Sequence, residues 1–321
     1  MPFFSWLLSF FVPAVASAHE VYVLPADAIA RDMALPALWP ATLLQDHAGQ
    51  FVFWAFISIL VVFCVFFISI SHFLEGRLDP WLMKIKKYAP LVSRITLGVS
   101  FIAAAFSGAV FGPELPLSVF FGSFAPVAAL LLGLAGVFII LNSYTVYAAG
   151  VGVVFFLLAA FHSGFYMLTY LNYLGEMIFL IWVGLQRKKA PALPYTLLRV
   201  FFGVALIYTS VYAKLLHGAL ALDTVGRYNL TQFLPFDPHF LVLGAAIIEI
   251  VIGLFFILGI EIRFTSLFLL FWLIQSLMFF GEVVWPHIIL FGIPLSFILY
   301  GYDCYSLEGY FFKRGNCEPV L

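Results

Sequence analysis

The apolar positions of this chain come in long unbroken runs, not in the alternation or one-sided stripe of a water-soluble domain. Residues 51–71 carry no charged side chain. About 20 apolar helical residues cross a bilayer core, so this run predicts a membrane span. Further runs cover about 92–112, 124–141, 144–168, 171–186, 195–214, 240–260, 264–281 and 284–301. Together they predict about nine spans. The run 171–186 is short and contains Glu176. Residues 3–15 are also apolar, but Ala16-Ser17-Ala18 follows them with the small-x-small spacing of a cleavage site. Residues 1–18 therefore read as a signal peptide and 19–50 as an extracytoplasmic segment. Residues 25–40 hold three prolines and few charges, and suit a short surface helix against the bundle.

Polar residues fix the expected orientation. Arg77, Lys84, Lys86 and Lys87 follow the first span, Arg187, Lys188 and Lys189 the fifth, Arg263 the seventh, and Lys313 and Arg314 close the tail. Nine alternating spans place all of these on one side, which the positive-inside bias makes the cytoplasm. Arg94 and Arg199 head two spans on that side and read as interfacial anchors. Only Arg31, Lys214 and Arg227 fall outside. The protein is thus expected in the cell (cytoplasmic or inner) membrane, N-terminus outside and C-terminus cytoplasmic.

Composition sharpens this reading. Hydrophobic types make up 64% of the 321 residues and charged types 10%, against about 25% charged in soluble domains. Too few charges remain to solvate a water-facing surface, so the bilayer is the first partner. The formal net charge is −1, and no basic stripe suggests nucleic acid. Cys64, Cys304 and Cys317 form no CxxC pair, so neither a disulfide framework nor a thiolate metal site is expected.

The runs also repeat. LVSRITLGVSFI at 91–102 parallels TLLRVFFGVALI at 196–207, with Arg94 matching Arg199 and Gly98 matching Gly203. Gly136, Leu141, Gly164 and Gly184 match Gly253, Leu258, Gly281 and Gly301 at a second constant spacing. The change of spacing places an insertion around 215–238. The expected fold is an all-α polytopic transmembrane bundle. A leading helix and loop (51–87) precede two four-helix repeats (88–187 and 193–303), and a cytoplasmic tail (304–321) follows.

The second repeat resembles the DoxX/DoxD-like family of four-helix membrane proteins. Arg199, Gly203, Lys214, Glu249, Gly253, Leu258, Gly259 and Arg263 carry the resemblance. The first repeat is a degenerate match, with Ala109, Leu132 and Val146 in place of Lys214, Glu249 and Arg263. The resemblance implies a membrane subunit supporting redox chemistry. A quinone is its implied cofactor and an oxidoreductase subunit its implied partner.

The residues themselves nominate one region. Glu249 lies near mid-membrane, where an ionisable group is costly and a functional candidate by default. Lys214 can reach it and lower the cost of both charges; a pair that only orients two helices is the plain alternative. Glu282 and His287 stand where the eighth span turns into the ninth, and His217 flanks the long outer loop. They are expected to line an outward polar pocket with Lys214 and Glu249, although Glu282-Val-Val-Trp-Pro-His287 also suits an ordinary interfacial turn. Weaker candidates are His162, Glu176 and Arg263. Haem is disfavoured, since no histidines pair at matched depth. His19 would become an N-terminal metal ligand after cleavage, yet a histidine that merely follows a cleavage site is the simpler reading. Besides the redox subunit, a small-molecule or metal-ion transporter and a membrane scaffold or assembly factor fit these features.

Overall fold

The structure, a computed structural model of the chain, describes residue 24 and residues 26–35, 47–82, 84–186, 192–234, 236–281 and 283–311. The signal peptide, His19, Glu282 and the basic clusters at 187–189 and 313–314 lie outside the described residues. All regular structure among the described residues is helical, apart from an isolated bridge between Ala109 and Pro116. We number the α-helices in chain order: α1 Ala26–Met33, α2 His47–Leu82, α3 Ala89–Ser107, α4 Leu117–Phe121, α5 Ala125–Ile140, α6 Thr145–Ser163, α7 Leu171–Leu185, α8 Leu193–Ser210, α9 Gly218–Arg227, α10 Leu230–Phe233, α11 Pro238–Leu258, α12 Ile262–Phe280, α13 Ile288–Tyr300 and α14 Leu307–Phe311.

Seven segments among the described residues are long and apolar enough to span a bilayer. One of them, Thr145–Leu185, is 41 residues long, about twice what a crossing needs. It bends at a 3-10 turn, Gly164–Tyr170, so that α6 and α7 pack against each other. Trp285–Tyr300 is a shorter apolar helix. Dividing the long segment at its turn and adding this helix recovers the nine runs of the sequence. The two shortest runs, α7 and the last, are those that length alone does not establish as spans.

Helix ends follow local chemistry. The Asp237 carboxylate accepts hydrogen bonds from the backbone N–H groups of His239 and Phe240 at 2.9 and 3.4 Å, capping α11, and Pro238 occupies the first turn, where no donor is needed. Positive-φ residues stand at the corresponding helix junctions of the two halves. Asn142 and Tyr144 separate α5 from α6, as Gly259 and Glu261 separate α11 from α12; Gly164 ends α6 as Gly281 ends α12.

Packing recurs in the same way. A methyl group on Gly98 would lie 2.7 Å from the Gly136 carbonyl oxygen, and one on Gly203 would lie 2.6 Å from that of Gly253. Small residues let helices approach to backbone contact in membranes, and here they bring α3 onto α5 and α8 onto α11. The halves then interlock. Helix α7 packs on α8 with Gly175 against Phe201, and α13 packs on α3 with Gly292 against Thr96. The core of buried aromatics, including Phe101, Phe111, Tyr195, Phe202 and Phe297, runs through both.

Helix α2 leans on this bundle through side chains. Phe56 meets Phe240, Phe63 meets Phe268 and Phe67 meets Phe255. Its other face exposes Val62, Phe66 and Phe73, as a lipid-facing helix does. Helix α1 is the expected surface helix. Leu24 and Ala28 are buried against Leu220 of α9.

Two expectations need correction. Arg199 is not an interfacial anchor but fully buried. Its Nε donates to Asp303 at 3.0 Å, and its Nη1 donates to the carbonyls of Phe256 and Ile257. Arg263, placed on the cytoplasmic side by the sequence, is likewise buried, 3.1 Å from Glu75 of α2. Room for both guanidinium groups comes from glycines. A methyl on Gly259 would lie 2.8 Å from Arg199, and one on Gly301 2.6 Å from Arg263. Finally, Cys304 is disulfide-bonded. A CxxC spacing marks only cysteines that are close in the chain.

Candidate functional site

The site begins where α8 changes its winding. At Val211–Leu216 the helix opens into a π turn, and the His217 N–H closes back on the Tyr212 carbonyl at 3.0 Å. Such turns shift the side chains that follow and recur at functional sites. Here Lys214 points to Glu249, mid-way along α11, and its Nζ donates to Glu249 Oε2 at 2.9 Å. Ser210 Oγ donates to the Ala246 carbonyl at 3.2 Å and ties the same two helices one turn away. Lys214 and Glu249 keep 13% and 21% of their side-chain surface accessible. That surface opens into a cavity.

The cavity has a volume of about 1450 Å³, larger than the roughly 300–1,000 Å³ usual for small-molecule sites. Phe202, Leu206, Phe240, Ile248, Trp272 and Leu273 are typical of its walls, and Ile29 of α1 lies at its edge. Beside the Lys214–Glu249 pair, its polar lining contains Glu114, Tyr166 and Tyr170. Glu114 sits in the connection between α3 and α4. The Tyr166 hydroxyl donates to its Oε1 at 3.0 Å, and the Tyr170 hydroxyl donates to the same oxygen. Burial holds the Glu114 carboxyl well above the usual carboxylate range, at about 7, with its own backbone N–H and Tyr166 opposing the shift. The Tyr166 ring lies 5.3 Å from that of Tyr212, which joins the two polar groups along one wall.

Not every nominated residue reaches this cavity. His287 is buried, with Nδ1 2.9 Å from the Val283 carbonyl, and does not line it. The His217 ring lies tilted against Tyr212, centroids 4.4 Å apart, and does not line the cavity. His162 is exposed on α6, edge-on to Phe120. Glu176 is fully buried on α7 beside the hydroxyls of Ser93 and Thr96, at the junction of the halves. The sequence parallel pairs Ala109 and Leu132 of the first half with Lys214 and Glu249. Both are fully buried and touch no part of the cavity.

Glu114, Tyr166 and Tyr170 escaped the sequence reading. A carboxylate between two spans ordinarily meets water, so its position drew no attention. The signal was its setting, Gly112-Pro113-Glu114-Leu115-Pro116, too apolar and too rigid for a solvated loop.

The DoxX family model matches residues 195–282. These residues are a DoxX domain. The chain is therefore an integral membrane protein with several spans and a DoxX domain in its second half. The matched stretch runs from α8 to the end of α12, and it contains Arg199, Lys214, His217, Glu249 and Arg263. No curated protein and no solved structure matches the chain. The cavity is wider than the DoxX domain, for Glu114, Tyr166 and Tyr170 belong to the preceding half.

Proposed function

We propose that this protein is the membrane subunit of a redox system, and that its cavity holds the lipid-soluble carrier of that system, a quinone-type molecule. One observation carries the reading: a single apolar cavity of about 1450 Å³ has an ion pair and a tyrosine–carboxylate cluster on its wall. Apolar walls with a few convergent polar groups are the usual form of a small-molecule site. The walls suit an isoprenoid or acyl chain. Lys214 can donate to a carbonyl oxygen of the head, while Glu249 holds the ammonium in place. Electrons pass to or from a partner oxidoreductase subunit in this reading.

The DoxX domain is, in the same proposal, one of two diverged copies of a four-helix unit. The matched glycine contacts, the matched positive-φ residues and the reciprocal packing of α7 on α8 and α13 on α3 support that view. A duplicated unit that keeps charges in one copy and closes the other with Ala109 and Leu132 has divided its work. The second copy supplies the ion pair, and the first supplies Glu114 and its tyrosines.

Titration of the detergent-solubilised protein with a decyl-substituted benzoquinone, read by tryptophan fluorescence, tests the proposal. Trp272 on the cavity wall is positioned to report binding. Saturable quenching that weakens at least tenfold in Lys214→Met supports it. Quenching that is linear in quinone, or identical in the variant, sinks it.

A further inference from the structure

The charged groups of the cavity do not cancel. Among its described lining residues the charged types are Lys214, Glu249 and Glu114. Lys214 and Glu249 neutralise each other at 2.9 Å. Glu114 is left over, and the side chains that meet its carboxyl are phenols. Tyr166 and Tyr170 donate to it from the turn after α6, Tyr173 of α7 lies within its electrostatic reach, and Tyr212 stands behind Tyr166. No cation acts on it from these elements. Its Oε2 is buried and accepts no hydrogen bond. Gly112 makes the space, since a methyl there would lie 2.7 Å from both carboxyl oxygens.

We propose that Glu114 is the charge-selecting residue of the cavity, which takes up a proton together with an uncharged lipid-soluble ligand and gives it up to admit a cationic one. The inference rests on the cavity being a binding site, as argued above. Its physics is desolvation. A carboxylate beside a water-filled cavity keeps part of its hydration. An apolar occupant removes that water and favours the neutral acid. Its own backbone N–H and the phenol donors compensate the ionised form, which keeps both states within reach. Burial already places the group at about 7, so a further upward shift of about one unit moves roughly half a proton near pH 7.5. A cationic head has the opposite effect, because it favours the ionised form.

The test measures the dissociation constant of full-length protein in detergent from pH 5.5 to 8.5 with two probes. One is the uncharged decylbenzoquinone and the other a decyl chain ending in a quaternary ammonium. The uncharged probe should bind with constant affinity below about pH 6 and weaken by up to roughly tenfold per unit above about pH 7. The cationic probe should strengthen over the same range. Binding of the uncharged probe should consume protons at pH 7.5 and none at pH 5.5. Glu114→Gln should make both profiles flat. Tyr170→Phe removes a donor to the ionised form and should move the onset to higher pH. Flat profiles and no proton uptake in the unmodified protein overturn the inference while leaving the cavity reading intact. Proton uptake decides the matter even if Glu114→Gln does not fold. Failure of both probes to bind at any pH overturns the cavity reading and the inference with it.

Discussion

Lys214 Nζ lies 2.9 Å from Glu249 Oε2, across two helices that Gly203 and Gly253 bring into backbone contact. Neither group has this partner without the other, and their surroundings are otherwise largely apolar. Lys214→Met leaves the Glu249 carboxylate alone there. We expect a stability loss of about 1–3 kcal/mol, the range for an orphaned buried polar group. Glu249→Gln, which removes one partner of Lys214, should also lower the melting temperature. The double variant should recover much of that stability, because apolar or neutral replacements of a buried pair are often tolerated. It should not recover quinone binding. Thermal unfolding in detergent, beside the quinone titration, separates the two effects. Recovery of both together would make the pair purely structural.

The glycine crossings make a second prediction. Gly203→Ala and Gly98→Ala place a methyl group under 3 Å from a facing carbonyl oxygen. Overpacking of this kind costs about 1–3 kcal/mol, and both variants should melt at lower temperature by similar amounts. Gly150→Ala is the control. Its methyl meets nothing within 4 Å on a helical backbone, so its melting temperature should hold or rise. Unequal losses at Gly98 and Gly203 would contradict the equivalence of the two crossings.

Much of the fold was legible because its cause is local. A bilayer demands long apolar helices, and unbroken runs of Leu, Val and Phe state that demand residue by residue. The glycine spacings were legible too, since close helix contact needs a missing side chain wherever it occurs. What lay hidden depends on approach between distant segments. Arg199 looked interfacial by its place at a helix start, but Asp303, more than a hundred residues later, draws it inside. Glu114 lies between two spans, and only the fold brings Tyr166 and Tyr170 onto its carboxyl. Lys214 and Glu249 were found because a charge inside an apolar run stands out in the sequence itself.

The Arg199–Asp303 pair gives the third prediction. Both side chains are at most 1% exposed. Asp303→Asn removes the charge and strands the guanidinium, at a cost of about 3–5 kcal/mol. Expression and melting temperature should fall sharply, and quinone affinity of the surviving folded fraction should not. Asp303 lies outside the cavity lining. A loss of affinity without loss of stability would place this pair in the binding machinery instead.

Stability should also follow Glu114. Its folded pKa is raised, so the unfolded state releases the proton more readily. The contribution is complete below a carboxyl's ordinary range, near 4.5, and is lost as pH rises through about 7. The melting temperature of the empty protein should therefore decline between about pH 5 and pH 8. Glu114→Gln should decline less over that interval. Equal declines in the two proteins would show that Glu114 does not change its proton affinity on folding.

Orientation rests on the one-sided Lys and Arg distribution. Reporter fusions at Leu220 and Asn316 should report opposite sides, with Asn316 cytoplasmic. An extracytoplasmic Asn316 would reverse the orientation, and it would put the Cys304 disulfide in the oxidising compartment where such bonds persist.

The central claim is that the cavity holds a lipid-soluble quinone. Its most direct test is mass spectrometry of the small molecules retained by protein extracted from its native membrane in mild detergent. The account predicts a quinone at close to one molecule per chain, and its depletion when Lys214→Met is extracted in parallel. Only bulk phospholipid, in equal amounts from both proteins, would contradict it.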